Sequence, residues 1–440
     1  MAEEGGGGKK HGVFRRMARG AANLVYREID VRLPVEPVPD GPVMAVSNHF
    51  GGLSDGVLLV DASPRMPRVV ARDVIWKVPI AGRLATAAGM IPVHKAADGG
   101  SRASNDEMFA SAYSALGDGD LVLIFPEGVT QDVPHMAEVR TGAARIVLGA
   151  RASGVEGISI VPVGLHYENK AGFRSRALVN IGEAISLDQW VASRGEVVDG
   201  ADDREAVREL TELVNVELRH VAPDYPDWDQ AHALETVSGV LLTDVDASEK
   251  PPMRYGDQAL LASRLNRVAG PDREQLVDLG GTYRSRIEAA QTSDHAIATA
   301  AAPQPRSWGW VRDVLLVLLM APFALFGLFA AAIPLLLVLI ASKLRIAPAV
   351  RATIVPGLAV LLFGVEWVLV AIAVGRDLGG EAAVAAVALF PFFVGALFLE
   401  VEKVNLLWNQ WRRRRRPSPD ELPELQALRS ELGEKAWAEL

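Results

Sequence analysis

The residues best suited to chemistry are His49 and Asp55, which lie six positions apart. The apolar run Val43–Val46 before them predicts a buried strand, two glycines follow the histidine, and the apolar run from Val57 predicts a helix. A loop between a strand and a helix lies where ligand crevices open at a sheet edge. A carboxylate that takes the Nδ1–H of an imidazole leaves Nε2 free to accept a proton from a substrate hydroxyl, so the pair indicates general-base catalysis.

The composition restricts the classes of function. The chain has 440 residues, of which half are hydrophobic, and it contains no cysteine. Disulfides, thiolate metal sites and a cysteine nucleophile are therefore excluded. The net charge is −9, yet basic residues gather at the amino terminus and in Arg412–Arg416. Clusters of this kind indicate a membrane surface, and we expect no nucleic-acid partner.

The segment from Pro42 to Leu187 alternates short apolar runs with helical patterns, which is typical of an α/β domain. The predicted strands are Val43–Ser47, Arg68–Ala71, Met90–Pro92, Leu121–Phe125, Ile158–Leu165 and Ala177–Ile181. The predicted helices lie near Val57–Val60, Ile80–Ala88, Asn105–Leu116 and Gly142–Ala152.

Three of these predicted strands carry further motifs, namely Gly89–Lys95, Ile124–Gly128 and Ile160–Leu165. The first ends in a basic residue, and the second ends in Phe-Pro-Glu-Gly. The third has a central proline, which normally marks a sheet edge or a bulge. Taken singly, each motif also fits an ordinary strand end.

Taken in order, the His…Asp pair, Gly-Met-Ile-Pro-Val, Phe-Pro-Glu-Gly and Val-Pro-Val resemble the four-block signature of the glycerolipid acyltransferase superfamily. That superfamily includes the lysophosphatidate and glycerol-3-phosphate acyltransferases. The resemblance covers roughly Pro42 to Leu187, and Arg140–Arg145 is similar to the segment that follows the third block. It implies an α/β acyltransferase domain with a central mixed sheet flanked by helices.

The resemblance also implies roles for individual residues. His49 is expected to deprotonate the acceptor hydroxyl while Asp55 orients the imidazole, and backbone amides near His49 are expected to hold the oxyanion. Acyl-CoA or acyl-carrier protein is the implied thioester donor and a glycerophosphate the implied acceptor, with no metal or bound cofactor. Acceptor binding is implied for Phe125, Pro126, Glu127 and Gly128, and phosphate contacts for Lys95 and Arg140.

Three departures from the family pattern bear on the acceptor. Five residues separate His49 from Asp55, where most members have four; this spacing is similar to a subgroup that includes fungal-type glycerol-3-phosphate and dihydroxyacetone-phosphate acyltransferases. The second block ends in Lys95 where arginine is usual, and Val129 follows the third block where many lysophosphatidate enzymes have arginine. We expect 1-acylglycerol-3-phosphate as the acceptor, with glycerol-3-phosphate or dihydroxyacetone phosphate as the alternative.

Two other functions fit parts of the sequence. Gly52–Gly56 matches the Gly-x-Ser-x-Gly elbow of α/β-hydrolases, with Ser54 as the nucleophile. That elbow requires its serine directly at the strand-to-helix turn, whereas the apolar strand ends near Ser47. The other alternative is a non-catalytic membrane scaffold that retains the fold.

Four segments are predicted before the hydrophobic part of the chain. Residues 1–35 form a basic amphipathic segment that lies on a bilayer or packs on the domain as an ordinary surface helix. The acyltransferase domain is expected over 36–200, a helical appendage over 201–291 and a linker over 292–311.

Residues 312–402 are predicted to be a membrane region. Segment 314–341 exceeds one crossing but falls short of two, which predicts a broken re-entrant hairpin, and 352–374 and 382–399 are predicted transmembrane helices. Residues 403–440 are expected to be a basic cytoplasmic tail. The positive-inside rule then places the catalytic domain on the cytoplasmic face of the cell inner membrane.

Overall fold

The computed structural model describes residues 4–94, 102–129, 133–170, 174–195, 197–244, 253–298, 300, 308–343, 348–413 and 420–440. The chain forms two compact units. The first unit comprises Met1–Asp224 with Ala347–Thr353, and the second comprises Tyr225–Ile346 with Ile354–Leu440.

A mixed sheet forms the centre of the first unit. Its described strands are β1 (Tyr26–Arg32), β2 (Val43–Ser47), β3 (Arg68–Arg72), β4 (Ile91–Val93), β5 (Leu121–Ile124), β6 (Ser159–Tyr167), β7 (Ser175–Ile181) and β8 (Ile185–Ser186). Their order is β1-β7-β6-β2-β5-β3-β4, with β8 beside β6. Strands β2, β3, β4, β5 and β6 run parallel, whereas β7 is antiparallel to β6 and β1 is parallel to β7. The predicted mixed sheet is confirmed.

Helices cover both faces of this sheet. They are α1 (Glu4–Val25), α2 (Leu53–Ala62), α3 (Pro79–Ala87), α4 (Arg102–Gly117), α5 (Gly142–Ala152), α6 (Leu187–Arg194) and α7 (Arg204–Val221), with 3-10 helices at Asp73–Lys77 and Gly200–Asp202. Successive residues of β2 point to opposite faces, so Met44 and Val46 pack in one core with α4, α5 and α7. Val43 and Ala45 pack in the other core with α1 and α2. This central strand is therefore buried on both sides, and its carboxyl end is held rigidly.

The predicted boundary between residues 35 and 36 is wrong. Helix α1 ends at Val25, and the next seven residues form strand β1. β1 pairs with β7, for example Ile29 with Ala177, so it extends the domain's own sheet. Ala22 of α1 is buried in the core of the first unit, so this helix packs on the domain along one side. Its exposed residues include Val13 and Met17.

The predicted domain end at residue 200 is wrong for a similar reason. Helix α7 buries Leu210, Val214 and Leu218 in the core of the first unit. The carbonyl at its last residue, Val221, accepts hydrogen bonds from His166 Nε2 at 2.8 Å and from the side-chain amide of Asn180 at 3.1 Å. The helix is thus fastened to β6 and β7 and is part of the domain.

The second unit contains a helical bundle of α8 (Trp228–Asp244), α9 (Tyr255–Leu265), α10 (Pro271–Ala289), α11 (Asp294–Ala298) and α16 (Leu422–Ala438). Ile297 of the predicted linker and Leu432 of the predicted tail are both buried in its core. Arg429 Nε also lies 2.7 Å from the carboxylate of Asp294. The predictions of a plain linker over 292–311 and a single tail over 403–440 are therefore wrong, because both segments supply helices to this bundle.

The apolar part of the second unit is formed by α12 (Trp308–Ala330), α13 (Ala332–Ser342), α14 (Pro348–Leu378) and α15 (Gly380–Arg413). Among the described residues, three stretches are long and apolar enough to cross a membrane: Val311–Ala330, Gly357–Leu378 and Gly380–Asn405. The prediction for 314–341 needs correction, because the break at Ala331 leaves one helix long enough to span and one of only 11 residues. Because one of these helices can cross the membrane alone, the length of segment 314–341 no longer implies a re-entrant hairpin.

Candidate active site

The loop after β2 is anchored to β6 by the side chain of Asn48. Its Nδ2 donates to the carbonyl of Leu165 at 3.0 Å, and its Oδ1 accepts from the amide of Leu165 at 2.7 Å. Asn48 is fully buried. The side-chain amide thus continues the pairing of the two strands for one more residue, and it fixes where His49 leaves the sheet.

His49 and Asp55 form a direct pair across this loop. His49 Nδ1 lies 2.7 Å from Asp55 Oδ2, and the carboxylate is 0% exposed whereas the imidazole is 22% exposed. Within the described part of the chain, His49 Nε2 has no hydrogen-bond partner. The predicted pairing is present, and the nitrogen that a general base requires is open.

Three further features hold the Asp55 carboxylate. It accepts hydrogen bonds from the amide of Gly51, 2.9 Å from each oxygen, and from the hydroxyl of Tyr167 at 2.5 Å. It also lies in the first turn of α2, where the helix dipole favours a negative charge. A Cβ on Gly51 would lie 2.7 Å from Asp55 Oδ1, and Gly52 has φ of 65°, so this loop requires both glycines.

Tyr167 is a site residue that the motifs did not reveal. It ends β6, which is parallel to β2, so its side chain belongs to the same edge of the sheet as His49. Burial, and next the charge of Asp55, raise the pKa of Tyr167 well above its usual value, so the phenol stays protonated and donates. Tyr26 of β1 lies behind it, with 5.8 Å between the ring centroids. The parallel arrangement of β6 and β2 is the signal that identifies Tyr167.

Glu127 braces the His49 loop from the other side. Its Oε1 accepts from the amide of His49 and its Oε2 from the amide of Ala137, each at 2.7 Å. The residue is 1% exposed, and burial raises the pKa of its carboxyl group, an effect that the two amide hydrogen bonds oppose. The resemblance implied acceptor binding, whereas these contacts make Glu127 a link between two segments of the protein itself.

The remaining residues of the third block form a tight turn beside the imidazole. The ring of Phe125 stacks on His49 with 4.2 Å between centroids and 20° between planes. The carbonyl of Pro126 accepts from the amide of Arg140 at 3.0 Å, and Gly128 has φ of 64°. A Cβ at Gly128 would lie 3.4 Å from Arg140 Nε, so the guanidinium lies against this turn.

Of the two predicted phosphate contacts, Arg140 lies among the described residues. Its side chain is exposed and forms no ion pair with any described residue. The Arg140 guanidinium is thus available beside the turn that follows Phe125, whose ring stacks on His49. Lys95, the other predicted phosphate contact, lies outside the described residues.

Ser54 is not placed as a hydrolase nucleophile. It is 4% exposed, and none of the hydrogen bonds between described residues joins its Oγ to a histidine or a carboxylate. A nucleophilic serine requires a base within hydrogen-bond reach and access to substrate. The contacts of Ser54 offer neither. No group of three or more histidine, aspartate or glutamate side chains that suits a metal ion occurs among the residues that the structure describes.

The part of the chain that carries this site is similar to known proteins. A family model described as Acyltransferase matches residues 29–166. Glycerol-3-phosphate O-acyltransferase 2 of Saccharomyces cerevisiae is 36% identical over 126 residues, which cover 28% of this chain and 16% of that protein. Glycerol-3-phosphate O-acyltransferase 1 of the same yeast is 25% identical over 137 residues, which cover 31% of this chain and 18% of that protein.

A solved structure shows a weaker likeness. It is the 1-acyl-sn-glycerophosphate acyltransferase PlsC from Thermotoga maritima, with a TM-score of 0.35 and 18% identity over 48% of this chain and 78% of that one. The aligned part of the chain thus spans less than a fifth of each yeast relative, and most of the solved structure. Residues 29–166, which carry His49 and Asp55, thus match the Acyltransferase family, and the predicted resemblance of this domain to the glycerolipid acyltransferase superfamily is confirmed.

Tyr167→Phe tests whether the phenol positions the dyad. Hydrogen bonds to charged groups contribute about 1.5–3 kcal/mol, so we expect acyl transfer, followed as thiol release from acyl-CoA, to fall roughly tenfold or more. The rate should fall because an Asp55 carboxylate with one donor fewer holds the imidazole less firmly in the orientation that catalysis requires.

Tyr26→Phe is the companion variant, because it removes the neighbouring buried hydroxyl and leaves the hydrogen bond from Tyr167 to Asp55 in place. It should lower the rate less than Tyr167→Phe does. Equal transfer rates for Tyr167→Phe and the natural protein would reject a positioning role for Tyr167.

Glu127→Ala tests the brace. It leaves the amides of His49 and Ala137 without their acceptor, and an unpaired buried donor costs about 1–3 kcal/mol. We expect a lower midpoint of thermal unfolding and at least a tenfold loss of transfer rate. The neighbouring exposed glutamate provides the control, since Glu138→Ala removes a carboxylate without touching the loop. The brace is refuted if both variants behave alike.

Proposed function

We propose that the protein is a membrane-bound O-acyltransferase that moves a fatty acyl group from a thioester to a hydroxyl of a glycerophosphate. The observation that carries this proposal is the His49–Asp55 pair, in which Nδ1 is bound at 2.7 Å and Nε2 is open. An imidazole held in this way suits removal of a proton from an alcohol. The superfamily membership of the domain supports the reaction class.

The proposed reaction is a direct transfer. His49 Nε2 takes the proton of the acceptor hydroxyl as its oxygen attacks the thioester carbonyl. Asp55 stabilises the imidazolium that forms, and the carbon–sulfur bond breaks when the tetrahedral intermediate collapses. The imidazolium then returns its proton to the departing thiolate. The products are an ester and a free thiol, and the enzyme ends in its starting protonation state.

The amides of the His49 loop divide between two tasks. Those of His49 and Gly51 are already bound by Glu127 and Asp55, so they are not available to the oxyanion. The prediction that backbone amides near His49 hold the oxyanion is therefore restricted to amides that are not already bound. We assign oxyanion binding to the amides of Gly52 and Leu53, which open helix α2 and form no hydrogen bond among the described residues.

The acceptor is proposed to be held by its phosphate on Arg140, with Lys95 as a second cation. Guanidinium binds a phosphate through two parallel hydrogen bonds, and Arg140 is exposed beside the third block. The names of the two yeast relatives support glycerol-3-phosphate, the alternative acceptor of the sequence analysis, beside 1-acylglycerol-3-phosphate. The mechanism needs no metal or bound cofactor, with acyl-CoA or acyl-carrier protein as the donor.

The three apolar helices support membrane association. Residence in the inner membrane with the domain on the cytoplasmic face stays a prediction from the distribution of charge. A non-catalytic scaffold is the less favoured function, because a scaffold has no need of a buried carboxylate aimed at an imidazole whose other nitrogen is open.

His49→Ala in the full chain, reconstituted in lipid vesicles, tests the function. General-base catalysis contributes around 10²–10⁴-fold, so we expect thiol release from acyl-CoA to become undetectable while the protein remains folded and membrane-bound. The acceptors to compare are glycerol-3-phosphate, dihydroxyacetone phosphate and 1-acylglycerol-3-phosphate.

Ser54→Ala is the companion variant, and it should retain transfer. Loss of activity with Ser54→Ala as severe as with His49→Ala would favour the hydrolase. Near-normal transfer by His49→Ala would overturn the assignment of the base. If the natural protein releases no thiol with any of the three acceptors, the result would favour the scaffold.

A further inference from the structure

Exposed aliphatic side chains surround the edge of the sheet that carries His49. Strands β2, β3 and β5 are parallel, so the segments that follow them lie at the same edge. These segments leave aliphatic side chains in water: Leu53 is 53% exposed, Val78 53% and Val129 38%, and Leu84 of α3, the helix that follows Val78, is 42% exposed. We call these four residues the apolar rim.

The part of the rim that follows β3 is held in a fixed shape. The 3-10 helix at Asp73–Lys77 leads directly into α3, and the indole nitrogen of Trp76 donates to the hydroxyl of Thr86 at 3.0 Å. A Cβ at Gly82 would lie 2.9 Å from the backbone of Trp76, so the two helices are in close contact. Val78 and Leu84 are therefore presented outward by a packed element.

The charges around this element are mainly positive. Arg72, Lys77 and Arg83 are exposed, and in the described part of the chain Arg83 has no ion-pair partner. The acid of this element is Asp73, whose side chain is 15% exposed and which lies near Lys77 and His94. Aliphatic side chains flanked by bases are typical of surfaces that lie on anionic lipid.

The opposite edge of the sheet provides a contrast. Strand β1 runs opposite to β2, so the residues after it lie at the other edge. Val35 is 95% exposed there, and its amide donates to the carboxylate of Glu183 at 2.8 Å. An exposed aliphatic residue at that edge therefore has an acidic neighbour, which does not suit an anionic surface.

We propose that the apolar rim is the surface by which the first unit docks on an anionic lipid bilayer, with Lys77 and Arg83 against the headgroups. This inference rests on the membrane association in the proposed function, but not on the reaction. A bilayer is the occupant because the same chain carries three helices able to span one and because Lys77 and Arg83 are exposed on the element that carries Val78 and Leu84. The open Nε2 of His49 then lies at the lipid-facing edge, where an acceptor is reached without leaving the leaflet.

The absence of cysteine makes the test direct. We would prepare Val78→Cys and Leu84→Cys in the full chain, label each with the fluorophore NBD, and reconstitute them in phosphatidylcholine–phosphatidylglycerol vesicles with and without a nitroxide-labelled lipid. Val35→Cys and Val197→Cys, both at positions that are 95% exposed, are the controls. We expect the nitroxide lipid to quench the two rim positions several-fold more than the controls.

A charge variant separates docking from simple tethering. Arg83→Glu in the Val78→Cys chain should reduce quenching on vesicles that contain phosphatidylglycerol and have little effect on phosphatidylcholine alone. Quenching at the rim no greater than at Val35 and Val197, or insensitive to Arg83→Glu on anionic vesicles, would overturn the proposal. Because the readout is fluorescence, rim quenching with an inactive protein would reject the proposed reaction and leave the docking surface in place.

Discussion

The structure of the site depends on the buried carboxylate of Asp55. An ionised group out of contact with water is stable only if hydrogen bonds replace its hydration. Here His49, Gly51 and Tyr167 all bind the carboxylate. These donors come from the β2 loop and from the end of β6, and the dipole of α2 adds to them. The carboxylate therefore requires β6 to lie beside β2, in parallel. It also requires a glycine-containing loop between β2 and α2.

A second buried carboxylate, that of Glu127, fixes the same loop from the direction of β5. It bonds the amide of His49 while the ring of Phe125, two residues before it, stacks on the imidazole. β2 pairs with both β5 and β6, so its loop is held between the ends of its two neighbours. The imidazole is thus fixed by backbone, carboxylate and ring contacts, and one nitrogen is left for chemistry. This arrangement gives the Pro-Glu-Gly turn a structural task beside any contact with substrate.

The sequence was most informative where the interacting residues are close along the chain. His49 and Asp55 were predicted to pair because a strand, two glycines and a helix start can place them together in only a few ways. The central strands of the sheet were predicted because they are buried on both faces and read as continuous apolar runs. The mixed sheet followed from the family resemblance and is present.

The features that were missed depend on distant contacts. Tyr167 and Asn48 act through hydrogen bonds that join residues 112 and 117 positions apart, and no local pattern encodes such a bond. β1 was missed because Tyr26–Arg32 contains four charged residues and is stable only as an edge strand against β7. Helix α7 was assigned to the wrong unit because its apolar face does not reveal which core it joins. The hydrogen bonds from the amides of His49 and Ala137 to Glu127 could likewise not be predicted from the Phe-Pro-Glu-Gly motif.

Base catalysis by His49 requires that Asp55 hold the imidazole with its proton on Nδ1 and its lone pair on Nε2. Nitrogen-15 magnetic resonance of the ring nitrogens, in the full chain in lipid with the His49 signals identified by their loss in His49→Ala, measures this tautomer directly. At a pH at which the ring is neutral, we expect a protonated Nδ1 and a bare Nε2, with both signals shifted in Asp55→Asn. A neutral ring with its proton on Nε2 would contradict it.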